Sequence, residues 1–308
     1  MKGYEKRREH TTPLLFSTPL LVCICIYMIL PFVATIVLAF TNFSLQQLNN
    51  PNNVARFIGI DNFIELWDNG RLLRMILRTY IWMIGSLVLG IVIGCFYAVV
   101  MSFDIKGKNL IKAVILMPWV LPEIVTGYVM KLIFMSDYGV LWNLLVNFGL
   151  LSKDSTMLSD PTTAMFLVIL ANTWRAAPYV AIMVYGKLKS LPQNQVEAAR
   201  IDGANAIQSF AYITVPWLWP IVKRCALLLF MWSFNAYAIV YSMTNGGPAN
   251  ATTILPIALR NTAFGQYAFG KGAAYGVIIL LTILITSAVL IVLFKMFLWL
   301  FRKVRGQV

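Results

Sequence analysis

The sequence predicts an all-α integral membrane protein with six transmembrane helices, and three observations carry that prediction. Of 308 residues, 59% are hydrophobic and only 12% charged, where a soluble domain averages about 25% charged. The mean hydropathy is +0.75, and the apolar residues gather into six blocks long enough to cross a bilayer, which takes about 20 helical residues. The net charge of +13 comes from cations placed at the ends of those blocks. They form no single patch with interleaved aromatics, so they signal topology and argue against a nucleic-acid partner.

Residues 1–10 carry Lys2, Lys6, Arg7 and Arg8 before an uncharged stretch. The apolar run 14–40 is far longer than the core of a signal peptide, and no small-residue cleavage site stands out, so it reads as a retained first span, loosened near Pro31. A loop of mixed polarity leads to a second span over 75–103, where Gly90 and Gly94 form a small-xxx-small pair suited to close packing. After a short loop with Lys106, Lys108 and Lys112 comes a third span over 113–135, interrupted by Pro118 and Pro122. Residues 136–160 read as a loop with short helical pieces. Asp160 and Pro161 then make an N-cap and first-turn pair for a fourth span ending near Gly186. Spans five (221–243) and six (272–300) flank a turn at Gly246-Gly247-Pro248.

Orientation follows from counting. With both termini cytoplasmic, sixteen of the twenty-five Lys and Arg fall inside, seven fall outside, and Lys131 and Arg175 lie within spans. Cys23, Cys25, Cys95 and Cys225 lie in or against apolar runs and read as apolar thiols. The sole histidine, His10, lies in the charged tail, so no metal site is expected.

Between spans four and five lies a polar island, about 187–220. Ser190 with Gln193 has the spacing of a capping box, and Pro192 suits a first helical turn. Gly203 supplies a left-handed helix exit, and a second helix is expected from Asn205 to just before Pro216. By periodicity alone the island is either a docking element or an amphipathic helix resting on the membrane face.

The stretch 197–216, EAARIDGANAIQSFAYITVP, resembles the cytoplasmic loop of ABC-importer permeases, in the form found in carbohydrate importers. The segments FIGIDNF (57–63), DPTT (160–163), NTW (172–174) and TNGGP (244–248) are similar to the maltose and glycerol-phosphate permease branch. This resemblance implies the type I ABC importer permease fold, a single permease domain over 1–308, and a place in the bacterial inner membrane. It also implies that Glu197, Ala198, Ala199, Asp202 and Gly203 form the ATPase-coupling contact. The implied partners are a second, homologous permease, a dimer of ABC ATPase subunits and an extracytoplasmic solute-binding protein, with lipid around the spans. No cofactor is expected in this chain, ATP and magnesium being bound by the ATPase. The large external insertion of the maltose-type permease has no counterpart after span one.

A solute path requires polar groups within the spans, where they are costly. Span four offers Asn172, Thr173, Trp174, Arg175 and Tyr179, and span five offers Trp232, Ser233, Asn235, Tyr237 and Tyr241. Aromatic faces beside amides and hydroxyls suit sugar rings, and helix packing is the plainer use of the same residues. The resemblance implies that Arg175, Tyr179, Trp232, Ser233 and Asn235 line the substrate path; Ser233 and Ala236 stand where the maltose-type permease has amides, and Ala176 where it has a glycine. Arg175 is expected to face an acidic solute, the partner permease or the chain's own carbonyls. Residues 265–271, GQYAFGK, approximate a phosphate loop but are followed by Gly272 instead of Ser or Thr and enter a transmembrane helix, which argues against nucleotide binding here. An ion-coupled transporter would carry several intramembrane carboxylates where this chain has Glu123. A membrane enzyme would need a catalytic constellation that does not appear.

Overall fold

The computed structural model describes residues 17–49, 54–104, 106–136, 138–153 and 156–304. The basic segment 1–10 with His10, and Arg305, one of the sixteen cations counted inside, lie outside these. The described helices are α1 (Ser17–Ala39), α2 (Leu45–Asn49), α3 (Asp61–Asp68), α4 (Leu72–Ser102), α5 (Lys108–Val120), α6 (Glu123–Phe134) and α7 (Val140–Asn147). They continue with α8 (Pro161–Lys189), α9 (Gln193–Ile201), α10 (Ala206–Asn235), α11 (Ala238–Met243), α12 (Leu255–Arg260) and α13 (Phe269–Val304). Among the described residues β-pairing is limited to one isolated bridge, Thr41 to Phe57.

Among the described residues five helices, α1, α4, α8, α10 and α13, are long and apolar enough to cross a membrane, and the bent pair α5–α6, counted as one span, brings the number to six. The third span is therefore not one continuous helix: its halves meet at 107°. The cause is local. Pro122 forces Leu121 into extended backbone (φ −70°, ψ 136°) and cannot donate a hydrogen bond, so α5 stops and α6 restarts at Glu123.

Span five departs from expectation. The helix begins at Ala206 and runs through Pro216 and Pro220, where a stop before Pro216 was expected. A π turn at Phe210–Thr214, in which the Val215 N–H reaches the Phe210 carbonyl, precedes Pro216 and gives its ring room. The same device occurs in α1, where a π turn at Cys25–Ile29 precedes Pro31. At its far end α10 breaks at Ala236 (φ −80°, ψ 78°) before α11, so the expected run to Met243 is two helices. Asp160 caps α8 as expected, its carboxylate accepting from the Thr163 N–H at 2.8 Å, with Pro161 in the first turn.

The chain divides into two compact units, 72–257 and the remainder. In the first, α4, α8 and α10 pack closely around Trp82, Leu167, Val168, Val180 and Val184, all fully buried or nearly so. Small residues permit this approach. A Cβ at Gly94 would overlap Val180 and the Ala177 carbonyl, and one at Gly90 would press on Leu229, which is what the small-residue pair foretold. In the other unit, Asn62 is buried and donates to the carbonyls of Ala39 and Thr41 at 2.8 and 2.9 Å, tying α3 to the end of α1. Lys271 on α13 reaches Glu65 on α3 at 2.6 Å.

Candidate functional site

The break between α5 and α6 builds a polar cavity in the first unit. Glu123 opens α6, and Leu121 presents its carbonyl at the bend. Arg175, midway along α8, answers both: one guanidinium nitrogen lies 3.2 Å from the Glu123 carboxylate, and Nε donates to the Leu121 carbonyl at 3.4 Å. Of the three partners expected for Arg175, the structure supplies the chain's own carbonyl and adds a carboxylate that sequence reasoning did not connect to it. Glu123 and Arg175 are 52 positions apart (175 minus 123), so no spacing rule linked them.

The cavity measures about 260 Å³ and is lined by Ser86, Trp119, Glu123, Asn172, Arg175, Trp232, Ser233 and Asn235, among others. Three rings stand beside it. Tyr179 packs between Trp119 at 5.9 Å and Trp232 at 4.9 Å, centroid to centroid, so it buttresses the two indoles that line the space.

Ser233 is placed differently from a free hydroxyl. Its Oγ donates to the Leu229 carbonyl at 2.8 Å, and its own carbonyl accepts the Trp82 indole N–H at 3.1 Å. The helix break at Ala236 explains the second bond, since the Tyr237 N–H turns to Asn235 and leaves the Ser233 carbonyl to Trp82. Asn235 is exposed at the helix end, with Nδ2 3.3 Å from the Met231 carbonyl. Ser86 was missed from sequence: it is 2% exposed, lines the cavity, and its hydroxyl has no hydrogen-bond partner. Trp119 was missed as well, lying just before a proline break that gave no hint of its direction.

The polar island forms a helical hairpin. Its first helix, α9, starts from Pro192 in extended backbone with no side-chain cap, so the expected Ser190–Gln193 box is absent. Ser190 instead ends α8, its hydroxyl donating to the Lys187 carbonyl at 2.8 Å. The exit follows expectation. Gly203 takes φ +85°, its N–H meets the Arg200 carbonyl, and the Ala204 N–H meets the Ala199 carbonyl at 2.9 Å, the paired bonds of a Schellman turn. Asn205 and Gln208 then form a reciprocal capping box for α10. Glu197, Ala198, Asp202 and Gly203 are exposed and Ala199 half-buried, so the small-residue face of α9 is open. At the base, the Trp217 indole donates to the Lys187 carbonyl at 3.1 Å and lies under the Lys187 ammonium at 3.6 Å.

Residues 86–306 match the family described as binding-protein-dependent transport system inner membrane component. The chain belongs to this family. Members of this inner membrane component family are transport permeases, not enzymes, and the helices described above make this one a multi-pass membrane protein. Among curated relatives, the maltodextrin transport system permease protein MalC of Streptococcus pneumoniae is 30% identical over 79% of this chain. The chain spans only 58% of that relative's length. The trehalose/maltose transport system permease protein MalF of Thermococcus litoralis is 26% identical, covering 94% of this chain and 95% of the relative. Among solved structures, a chain of a bacterial ABC transporter involved in import of the acidic polysaccharide alginate superposes with a TM-score of 0.73 at 17% identity, over 94% of this chain and 98% of that one. That likeness establishes the ABC importer permease fold for this sequence.

Proposed function

We propose that this chain is one permease subunit of an ATP-driven importer that passes a carbohydrate, delivered by a solute-binding protein, across the bacterial inner membrane. The observation that carries this reading is mechanical continuity. The helices that clamp the hairpin at its base, α8 and α10, are the same two that carry Arg175, Trp232 and Asn235 to the cavity. A push on α9 therefore reaches the cavity walls through two stiff rods, as rigid-body motion requires.

In this reading α9 enters a cleft of an ABC ATPase dimer on the cytoplasmic side. Ala198 and Ala199 give clearance, Glu197 makes a charge-assisted bond, and the turn at Asp202 and Gly203 fixes the exit angle. Nucleotide and magnesium belong to that ATPase, and a second, homologous permease completes the pathway. Both termini lie in the cytoplasm, and the chain acts as a single permease domain. The relatives named for maltodextrin and for trehalose and maltose support a saccharide cargo. The aromatic pair Trp119 and Trp232 beside Asn172 and Asn235 matches the apolar faces and polar edges of a sugar ring.

The test is Glu197→Lys in the assembled transporter. Reversing the charge is expected to abolish uptake while ATP hydrolysis and membrane insertion persist. Normal uptake at normal expression would refute the docking role. Wild-type uptake that ceases with a protonophore, yet survives an ATPase-dead partner, would instead indicate ion coupling.

A further inference from the structure

We propose that Glu123 sets the charge selectivity of the cavity, by holding Arg175 as an internal counter-ion so that the pathway favours uncharged saccharides over carboxylate- or phosphate-bearing ones. This rests on the carbohydrate reading above and deepens it.

Arg175 and Glu123 are the charged residues among those lining the cavity, so its formal charge is zero. Arg175 alone would invite an anionic solute, because a guanidinium offers paired donors to a carboxylate or phosphate. One nitrogen of each pair is already engaged, Nη1 by the Glu123 carboxylate at 3.2 Å and Nε by the Leu121 carbonyl at 3.4 Å. An anion seeking paired donors must displace Glu123 or the Leu121 carbonyl, and on either face it meets the negative charge of the Glu123 carboxylate beside it. The repulsion built in by Glu123 discriminates as much as any attraction does. An uncharged sugar pays no such penalty, and it finds ring faces at Trp119 and Trp232 with the buried, unpartnered Ser86 hydroxyl nearby. Both charged side chains keep access to the cavity, at 22% and 31% exposure for Arg175 and Glu123, so exchange of partners is sterically open. The helix break makes the arrangement possible: only a chain restarting at Glu123 places this carboxylate and the Leu121 carbonyl around one guanidinium.

The experiment compares a matched pair of probes, methyl α-glucoside and methyl α-glucuronide, by equilibrium dialysis against the purified full chain in detergent. Wild type is expected to retain the glucoside in preference to the glucuronide. Glu123→Gln, close in shape, is expected to move the ratio toward the glucuronide by about tenfold or more, the size of one charge-assisted hydrogen bond. The double variant Glu123→Gln with Arg175→Gln is expected to restore the original preference, which also guards against a folding artefact. An unchanged ratio in Glu123→Gln, or a wild type that prefers the glucuronide, overturns the proposal.

A second measurement needs no solute. Phenylglyoxal, which modifies free guanidinium groups, is expected to label Arg175 several-fold faster in Glu123→Gln than in wild type, read by peptide mass spectrometry. Equal rates overturn the proposal. If no variant retains either glycoside while Arg175 labelling still accelerates, the carbohydrate reading falls and the masking of Arg175 by Glu123 stands.

Discussion

Trp217 holds Lys187 twice, accepting its ammonium over the indole ring at 3.6 Å and donating the indole N–H to its backbone carbonyl at 3.1 Å. Lys187 lies in the last turn of α8 and Trp217 in the early part of α10, so this pair closes the neck of the hairpin. Trp217→Leu removes both interactions, about 1–3 kcal/mol together. Tryptic cleavage after the exposed Arg200 is expected to accelerate several-fold in that variant. Trp217→Phe keeps a ring without the donor and is expected to fall between, and helix content by circular dichroism stays at the wild-type level in both.

Gly203 isolates backbone strain from packing. Its φ is +85°, and a Cβ there would meet nothing within 4 Å. Gly203→Ala is therefore expected to cost about 1–2 kcal/mol through conformation alone, with Gly203→Asn milder, since Asn tolerates this region. Thermal unfolding of the purified chain reads the difference, and equal melting of the two variants contradicts it.

Two glycines on packed helices give opposite outcomes. At Gly94 a side chain would strike Val180 and the Ala177 carbonyl, whereas at Gly186 nothing lies within 4 Å. Gly94→Leu is expected to overpack α4 against α8 by about 3 kcal/mol or more and to shift the protein to the void volume in size-exclusion chromatography. Gly186→Ala is expected to be neutral or stabilising by about 0.5–1 kcal/mol, from helix propensity.

The cap at Asp160 carries a pH dependence. The Thr163 N–H and hydroxyl, both bonded to its carboxylate, hold its pKa below the ordinary carboxylate value. A lowered folded-state pKa means stabilisation that is complete above the unfolded pKa and lost as pH falls through the folded one. Acidification below the ordinary carboxylate range is expected to fray the start of α8 in wild type and to leave Asp160→Asn less affected. Hydrogen exchange over 161–165 as a function of pH measures this.

Much of this architecture was legible because bilayers impose simple rules on sequence. All six spans stood out as apolar blocks, and Asp160, Gly203 and the Gly90–Gly94 pair announced their local roles through capping and packing chemistry. Proline was the weak point. The expected interruption of the third span falls at Pro122, while Pro118 stays inside α5 and Pro216 and Pro220 inside α10, so a proline alone does not say where a membrane helix ends. Of the residues that the resemblance assigned to a solute path, Arg175, Trp232, Ser233 and Asn235 line the cavity and Tyr179 stands behind the indoles. Glu123, Trp119 and Ser86 come from other spans, and no local pattern encodes which residues of two separate helices will face one another. The Ser190 cap failed for a related reason: α8 ran three residues beyond Gly186 and used that serine for its own end.

The widened turn at Phe210–Thr214 has a consequence for chain length. A helical turn of this kind holds one residue more than its neighbours, and each residue of an α-helix rotates the next by about 100°. Deleting one position between 210 and 214 would therefore let the regular pitch close up with the rest of α10 keeping its facing, whereas deleting one from the regular stretch after Pro220 would swing Trp232 and Asn235 roughly a third of a revolution away from the cavity. The aim of those side chains thus depends on the residue count along the helix, and the widened turn is the stretch of α10 where that count has a residue to spare.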